Sequence, residues 1–192
     1  MSPPRQLDLT CGTYRVVVSD ADRSTTPADY STAHYLDGEK YQASSCHRVT
    51  VIEDGQDVQA CLLIGGGGTS GVHAHSAVCI GGRCYVAVGD SVCALSVPGL
   101  DLVWRSRVDS LTCFGVHYLP EFQCFISHGE LEIARFDLNG KVTWQTSGRD
   151  IFSEGFAIHG EVIEATDFYK TTYRIDIETG RIVAEMPSAQ GA

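Results

Sequence analysis

Apolar residues in this chain fall in short runs of 4–8, rich in Val, Ile, Tyr, Phe and Cys and bounded by Gly, Asp, Asn or Pro. No window longer than about ten residues keeps apolar groups at i, i+3, i+4 and i+7, so helices are not expected. The runs alternate apolar and polar positions, or stay apolar throughout, as strands covered on one or both faces require. The pattern predicts an all-β protein.

From residue 70 the runs group in fours. The first group is 76–80, 84–89, 91–97 and 102–107; the second is 112–119, 122–127, 131–138 and 141–147; the third is 154–160, 161–167, 172–177 and 181–186. Trp104 and Trp144 are 40 residues apart, and so are Gly140 and Gly180. The links Gly81-Gly82, Gly89-Asp90, Pro98-Gly99, Asn139-Gly140 and Thr179-Gly180 supply the backbone freedom that tight hairpins need. Each group therefore predicts a four-stranded antiparallel meander. In 131–136, Leu131 and Ile133 point to one face and Ala134 and Phe136 to the other, so this strand should be covered on both sides. A fixed period of this length marks stacked units that cannot bury their own faces alone.

Residues 1–69 repeat less cleanly. Strands are expected at 12–20, 47–55 and 59–65, with a loop over 21–32 and a hairpin turn at Asp54-Gly55. The glycine run from Gly65 to Gly71 reads as a flexible connector. The expected organisation is one domain: an irregular blade or cap over 1–69, then blade-like repeats over 70–109, 110–150 and 151–190. The expected fold is a small β-propeller-like array of about four blades, closed or partly open.

The stretches RIDIETGRIV (174–183), FDLNGKVTW (136–144) and LSVPGLDLVW (95–104) share an alternating strand, a turn with Gly, and a strand ending in Trp or Val. In this they resemble the PQQ-like and related blade-repeat propellers. The resemblance covers about 110 residues and implies blade architecture. Enzymes of that kind that use the quinone have six to eight blades, so no cofactor is expected here.

Composition narrows the partners. The net charge of -10 repels polyphosphate and anionic lipid, so neither nucleic acid nor membrane is expected, and a basic protein partner suits it better. The opening MSPPRQLDLT has no apolar core for export. The eight cysteines lie mostly in strand-like runs, where reduced thiols pack as small hydrophobes, so a cytoplasmic protein is expected.

Three segments carry candidate chemistry. His73 and His75, two apart, would point the same way on a strand and could share a divalent ion such as zinc; His117, His128, Glu130 or Glu154 would have to complete the site through the fold. Ser127, His128 and Glu130 offer a hydroxyl, an imidazole and a carboxylate, expected on a turn that would aim them apart. The link 148–156 concentrates Arg149, Asp150 and Glu154 where propeller ligands bind, or where an Arg–carboxylate network ties blades together. GGGGTSG lacks the Lys of a phosphate-binding loop. No cysteine stands beside a cationic cluster that would activate it. The expected function is a non-enzymatic binding or protein-interaction module, monomeric or homodimeric, using Ser127, His128, Glu130, Arg149, Asp150 and Glu154. The alternative is a metal-dependent hydrolase or lyase built on His73 and His75.

Overall fold

The computed structural model describes residues 5–21, 32–37 and 43–187. Seventeen strands run through them: β1 (Gln6–Cys11), β2 (Tyr14–Asp20), β3 (Thr32–Tyr35), β4 (Ser45–Glu53), β5 (Gln56–Gly65), β6 (Ala77–Ile80), β7 (Arg83–Val88), β8 (Ser91–Ser96) and β9 (Leu102–Arg107), followed by β10 to β17. These last are β10 (Cys113–Leu119), β11 (Cys124–Gly129), β12 (Glu132–Phe136), β13 (Val142–Ser147), β14 (Gly155–His159), β15 (Val162–Thr166), β16 (Thr172–Asp176) and β17 (Ile182–Met186). A single 3-10 turn, Pro120–Phe122, is the only helical piece among the described residues.

The strands form four sheets. Three are antiparallel meanders in chain order, β6 to β9, β10 to β13 and β14 to β17, matching the three expected repeats. The first sheet has five strands in the order β1-β2-β4-β5-β3, with β3 parallel to β5 at its edge. Two of its strands, β1 and β3, were not among the expected ones. Most of the loop expected over 21–32 lies outside the described residues.

The sheets stack face to face, and side-chain alternation sorts three cores between them. Along β7, Cys84, Val86 and Val88 join Val16, Val18, Val49 and Val51 of the first sheet. Tyr85 and Ala87 instead meet Val116, Phe125, Ala134 and Phe136 of the third. Ile126 and Ile133 turn the other way, onto Ile163, Ala165, Tyr173 and Ile175 of the fourth. Thus β12 is covered on both faces, with Ile133 and Phe136 in different cores, because successive strand residues point oppositely. The result is a partly open, propeller-like array of four blades.

The forty-residue period has a direct physical cause. Trp104 of β9 donates its indole N–H to the Leu138 carbonyl at 3.1 Å, and Trp144 of β13 donates to Ile177 at 3.0 Å. Each ring lies across the glycine turn of the next blade. A Cβ on Gly140 would come within 2.7 Å of the Trp104 ring, and one on Gly180 within 2.5 Å of Trp144. Both glycines also hold positive φ, at 81° and 70°. The second and third blades therefore each hand a tryptophan to the turn of the next.

The glycine run is not a flexible connector. Asp90 N donates to Gly66 O at 3.0 Å, Gly68 N to Leu111 O at 2.6 Å, and the Ser45 hydroxyl to Gly68 O at 3.1 Å. A side chain on Gly67 would strike the Leu111 carbonyl, and one on Gly68 the Thr112 hydroxyl. The glycines are there for close approach of backbones, and the run is a strap held by its neighbours.

Candidate functional site

The segments singled out in the sequence gather at one end of the array, where each blade passes its chain to the next. Backbone hydrogen bonds stitch these links together: Glu130 N donates to Thr112 O at 2.7 Å, Phe152 N to Glu130 O at 2.7 Å, and Phe168 N to Ile151 O at 2.9 Å. The opposite end carries the tight hairpin turns, such as Gly81-Gly82 and Gly160-Glu161.

Toward the inner strands, four imidazoles from three separate segments come together. His75 lies 4.7 Å from His117 of β10, ring centre to ring centre, and 6.2 Å from His73. Phe156 of β14 stacks between His117 at 4.9 Å and His128 of β11 at 4.4 Å. Phe114 closes on the far side of His128 at 5.5 Å. Burial pushes His117 down to about 4, helped by the neighbouring imidazoles His75 and His128. Burial likewise lowers His128 to about 4, against a hydrogen bond to the Phe152 backbone that favours its charged form. Both rings are neutral at pH 7, and they act as aromatic packing between the third and fourth sheets.

The geometry does not build the metal pair expected at His73 and His75. Residues 74–75 form a turn, not a strand, so the two rings are not presented side by side. His73 Nδ1 accepts from the His75 backbone N–H at 3.2 Å, and its Nε2 donates to Phe114 O at 2.8 Å. Both ring nitrogens are then committed, which fixes the tautomer and leaves no free lone pair for an ion. Among the described residues, no group of three or more His, Cys, Asp or Glu side chains is placed to hold a metal ion.

Ser127, His128 and Glu130 are also placed differently from expectation. Ser127 to Gly129 belong to β11 and not to a turn. Ser127 is fully buried, its hydroxyl directed at Ala134 O at 3.5 Å, and His128 faces the opposite sheet because strand neighbours alternate. Glu130 leaves the strand end and accepts from the Thr112 hydroxyl at 2.6 Å. A nucleophile–base pair cannot form from these three.

The link 148–156 forms the outer rim. Arg149, its side chain 78% exposed, pairs with Glu185 of β17 at 2.7 Å, and its backbone N–H donates to the Tyr173 hydroxyl at 3.1 Å. That hydroxyl donates in turn to the buried Asp167 at 2.9 Å, and Asp167 also accepts from Thr171 N at 2.8 Å. Asp150 caps its own neighbour, accepting from Ile151 N at 2.8 Å. Glu154 pairs with Lys170. Arg149 and Glu154 are thus held in two separate ion pairs at the fourth blade's edge and turn, instead of in one Arg–carboxylate network tying two blades together.

The most telling rim feature had no motif behind it. The turn after β15 holds Phe168 and Tyr169 outward, 54% and 67% exposed, edge to face at 5.4 Å. The turn beneath them is rigid, with Lys170 N bonded to Asp167 O at 2.9 Å and the Asp167 carboxylate buried below. Beside them, Ser110, Leu131, Glu132, Gly148, Arg149 and Asp150 are among the residues lining a depression of about 220 Å³. Sequence reading passed over FYK at 168–170 because a turn with two aromatics carries no periodic signal.

No protein-family model matches the sequence, and no curated protein matches it either. Solved structures do share the fold. The chain is similar to BamB from Moraxella catarrhalis (TM-score 0.54, 11% identity, covering 94% of this chain and 63% of that one). It is similar to the Kuenenia stuttgartiensis hydrazine synthase (TM-score 0.54, 15% identity, 73% of this chain and 43% of that one). It is also similar to the AfRom2 CNH domain (TM-score 0.56, 10% identity, 95% of this chain and 54% of that one). The chain thus spans between 43% and 63% of these structures, and at such identities the likeness concerns the fold alone.

Proposed function

We propose that this chain is a propeller-type, non-enzymatic protein-interaction module that grips a basic, partly apolar protein segment at the rim formed by 149–154 and 167–170. The observation that carries this reading is the exposed Phe168–Tyr169 pair on a rigid turn. Single exposed apolar residues are ordinary, whereas two exposed aromatics packed edge to face, on a rim that also carries the exposed Arg149, have the composition of interface hot spots. The turn is pre-organised by Asp167 and Tyr173, so binding would cost little ordering entropy. Charge favours a basic partner: Arg149 and Lys170 are each paired with a carboxylate, and the chain carries -10 overall. The reading needs no cofactor, nucleic acid or membrane, and it suits a reducing, cytoplasmic setting.

Selection of a randomised displayed-peptide library against the chain tests this, with counter-selection on the F168A/Y169A double variant. Expected are convergent peptides with Lys or Arg beside apolar residues, lost with the double variant and weakened by R149A. Peptides that bind wild type and double variant equally would overturn it.

A further inference from the structure

Three thiols meet at the hairpin end of the second blade, away from the rim. Cys79 of β6 and Cys84 of β7 are direct cross-strand partners, one step from the two-residue turn Gly81-Gly82. In this ladder Ala87 N donates to Ser76 O, so 76 and 87, and by alternation 78 with 85 and 80 with 83, are the hydrogen-bonded pairs. Cys79 and Cys84 therefore form a non-hydrogen-bonded pair, the class whose Cα atoms stand roughly 4.5 Å apart with side chains drawn together. That spacing lies at the short end of the range a disulfide can bridge. Cys11, at the end of β1, joins from the first sheet, its thiol directed at Arg83 O at 3.9 Å.

We propose that Cys79 is a thiol-oxidation site, oxidised by a hydroperoxide and resolved by Cys84 to a cross-strand disulfide. The Cys79 sulfur attacks the peroxide: an S–O bond forms, the O–O bond breaks, and the leaving oxygen departs as water or an alcohol, giving a sulfenic acid. The Cys84 sulfur then attacks Cys79: the S–S bond forms, the S–O bond breaks, and hydroxide leaves with the Cys84 proton as water. Two thiols lose two electrons, and one hydroperoxide is reduced.

The surroundings distinguish Cys79 from the other cysteines. It is half-buried, as Cys46 also is, so a small oxidant can reach it, whereas Cys61, Cys84, Cys93 and Cys113 are fully buried; unlike Cys46, it has a cysteine as its direct cross-strand partner. A hydrogen bond from the Cys84 thiol chiefly holds Cys79 below the ordinary thiol range, against its own burial. Cys84 is raised by that same bond and by burial, and Cys11 is pushed up to about 11, mainly by burial. Burial also raises Cys61 to about 12 and moves Cys93, Cys113 and Cys124 upward. A half-buried thiol lowered by a hydrogen bond from the buried thiol facing it across the ladder is the one placed to react first.

Mapping of the full, reduced chain after brief exposure to dilute hydrogen peroxide tests this, with free thiols then blocked by N-ethylmaleimide. Arg83 lies between the two cysteines, so trypsin leaves peptides 49–83 and 84–105 joined only through a disulfide. Expected is that linked pair, assigned to Cys79 and Cys84 by fragmentation and released by dithiothreitol. C79S should slow the first thiol loss about tenfold, and C84S should leave a sulfenic acid at Cys79 that dimedone traps. Oxidation of Cys79 no faster than Cys61, or a disulfide joining Cys79 to Cys11, would overturn the proposal. The wild-type map decides this even if a variant fails to fold.

Discussion

At the scale of single residues, the Trp–Gly contacts between blades are the most specific element of the fold. Gly180 has a positive φ of 70° and the Trp144 ring where a Cβ would go, so two penalties coincide there. Gly180→Ala should destabilise the chain by roughly 2–4 kcal/mol, since rigid ring and backbone must both shift. Gly81→Ala, at φ 59° but facing open space, should cost only about 1 kcal/mol. Urea midpoints of the two variants check the difference. The histidines make a second residue-scale prediction. His117 and His128 are lowered to about 4 in the folded chain against an ordinary 6.5, so between those values the unfolded chain binds more protons. Stability should therefore be flat above about pH 7 and fall as pH drops from about 6.5 toward 4, by on the order of 2 kcal/mol for each half-buried ring. The H117Q/H128Q variant should shallow that acid limb, leaving the part that buried His47, also lowered by burial, contributes, as followed by thermal unfolding across pH.

At the scale of elements, the twelve strands from β6 to β17 were legible because each alternates or is doubly apolar and ends in a turn residue. β1 was readable too, since Leu7, Leu9 and Cys11 alternate with Gln6, Asp8 and Thr10, but its polar outer face hid it. β3 had no local signal: four residues pairing in parallel with β5 are specified by the sheet they join. The glycine strap misled for a related reason. Composition reports chain freedom, while the bonds of Gly66 and Gly68 to Asp90 and Leu111 come from sequence-distant segments. The imidazole cluster likewise joins His73 and His75 to His117 and His128, more than forty residues away, and the turn at 74–75 and the Phe114 carbonyl, which between them occupy the two nitrogens of His73, are visible only in three dimensions. Gly68→Ala, which would meet the Thr112 hydroxyl, should lower the urea midpoint clearly, whereas a truly flexible connector would tolerate it.

At the scale of the whole molecule, the two outward sheet faces are polar. The fourth sheet pairs Glu164 with Arg174 at 3.3 Å and the Thr166 and Thr172 hydroxyls at 2.9 Å, and Ala184 stands 40 residues after Trp144. The first sheet sets Arg15 against Asp8 at 2.6 Å on its outer face, beside a shallow depression of about 290 Å³. Neither face offers the apolar patch that stable self-association needs, so light scattering of the chain should give a monomer. The proposed binding is then assigned to the stitched end of the array, where an aromatic pair is held out by buried hydrogen bonds. Hydrogen–deuterium exchange of the chain, alone and with a peptide selected for binding, tests this claim most directly. The account predicts new protection at 149–154 and 167–170, with the outer strands unchanged. Protection centred on the face carrying Arg15 and Arg48, or on the turn at Gly81-Gly82, would contradict it.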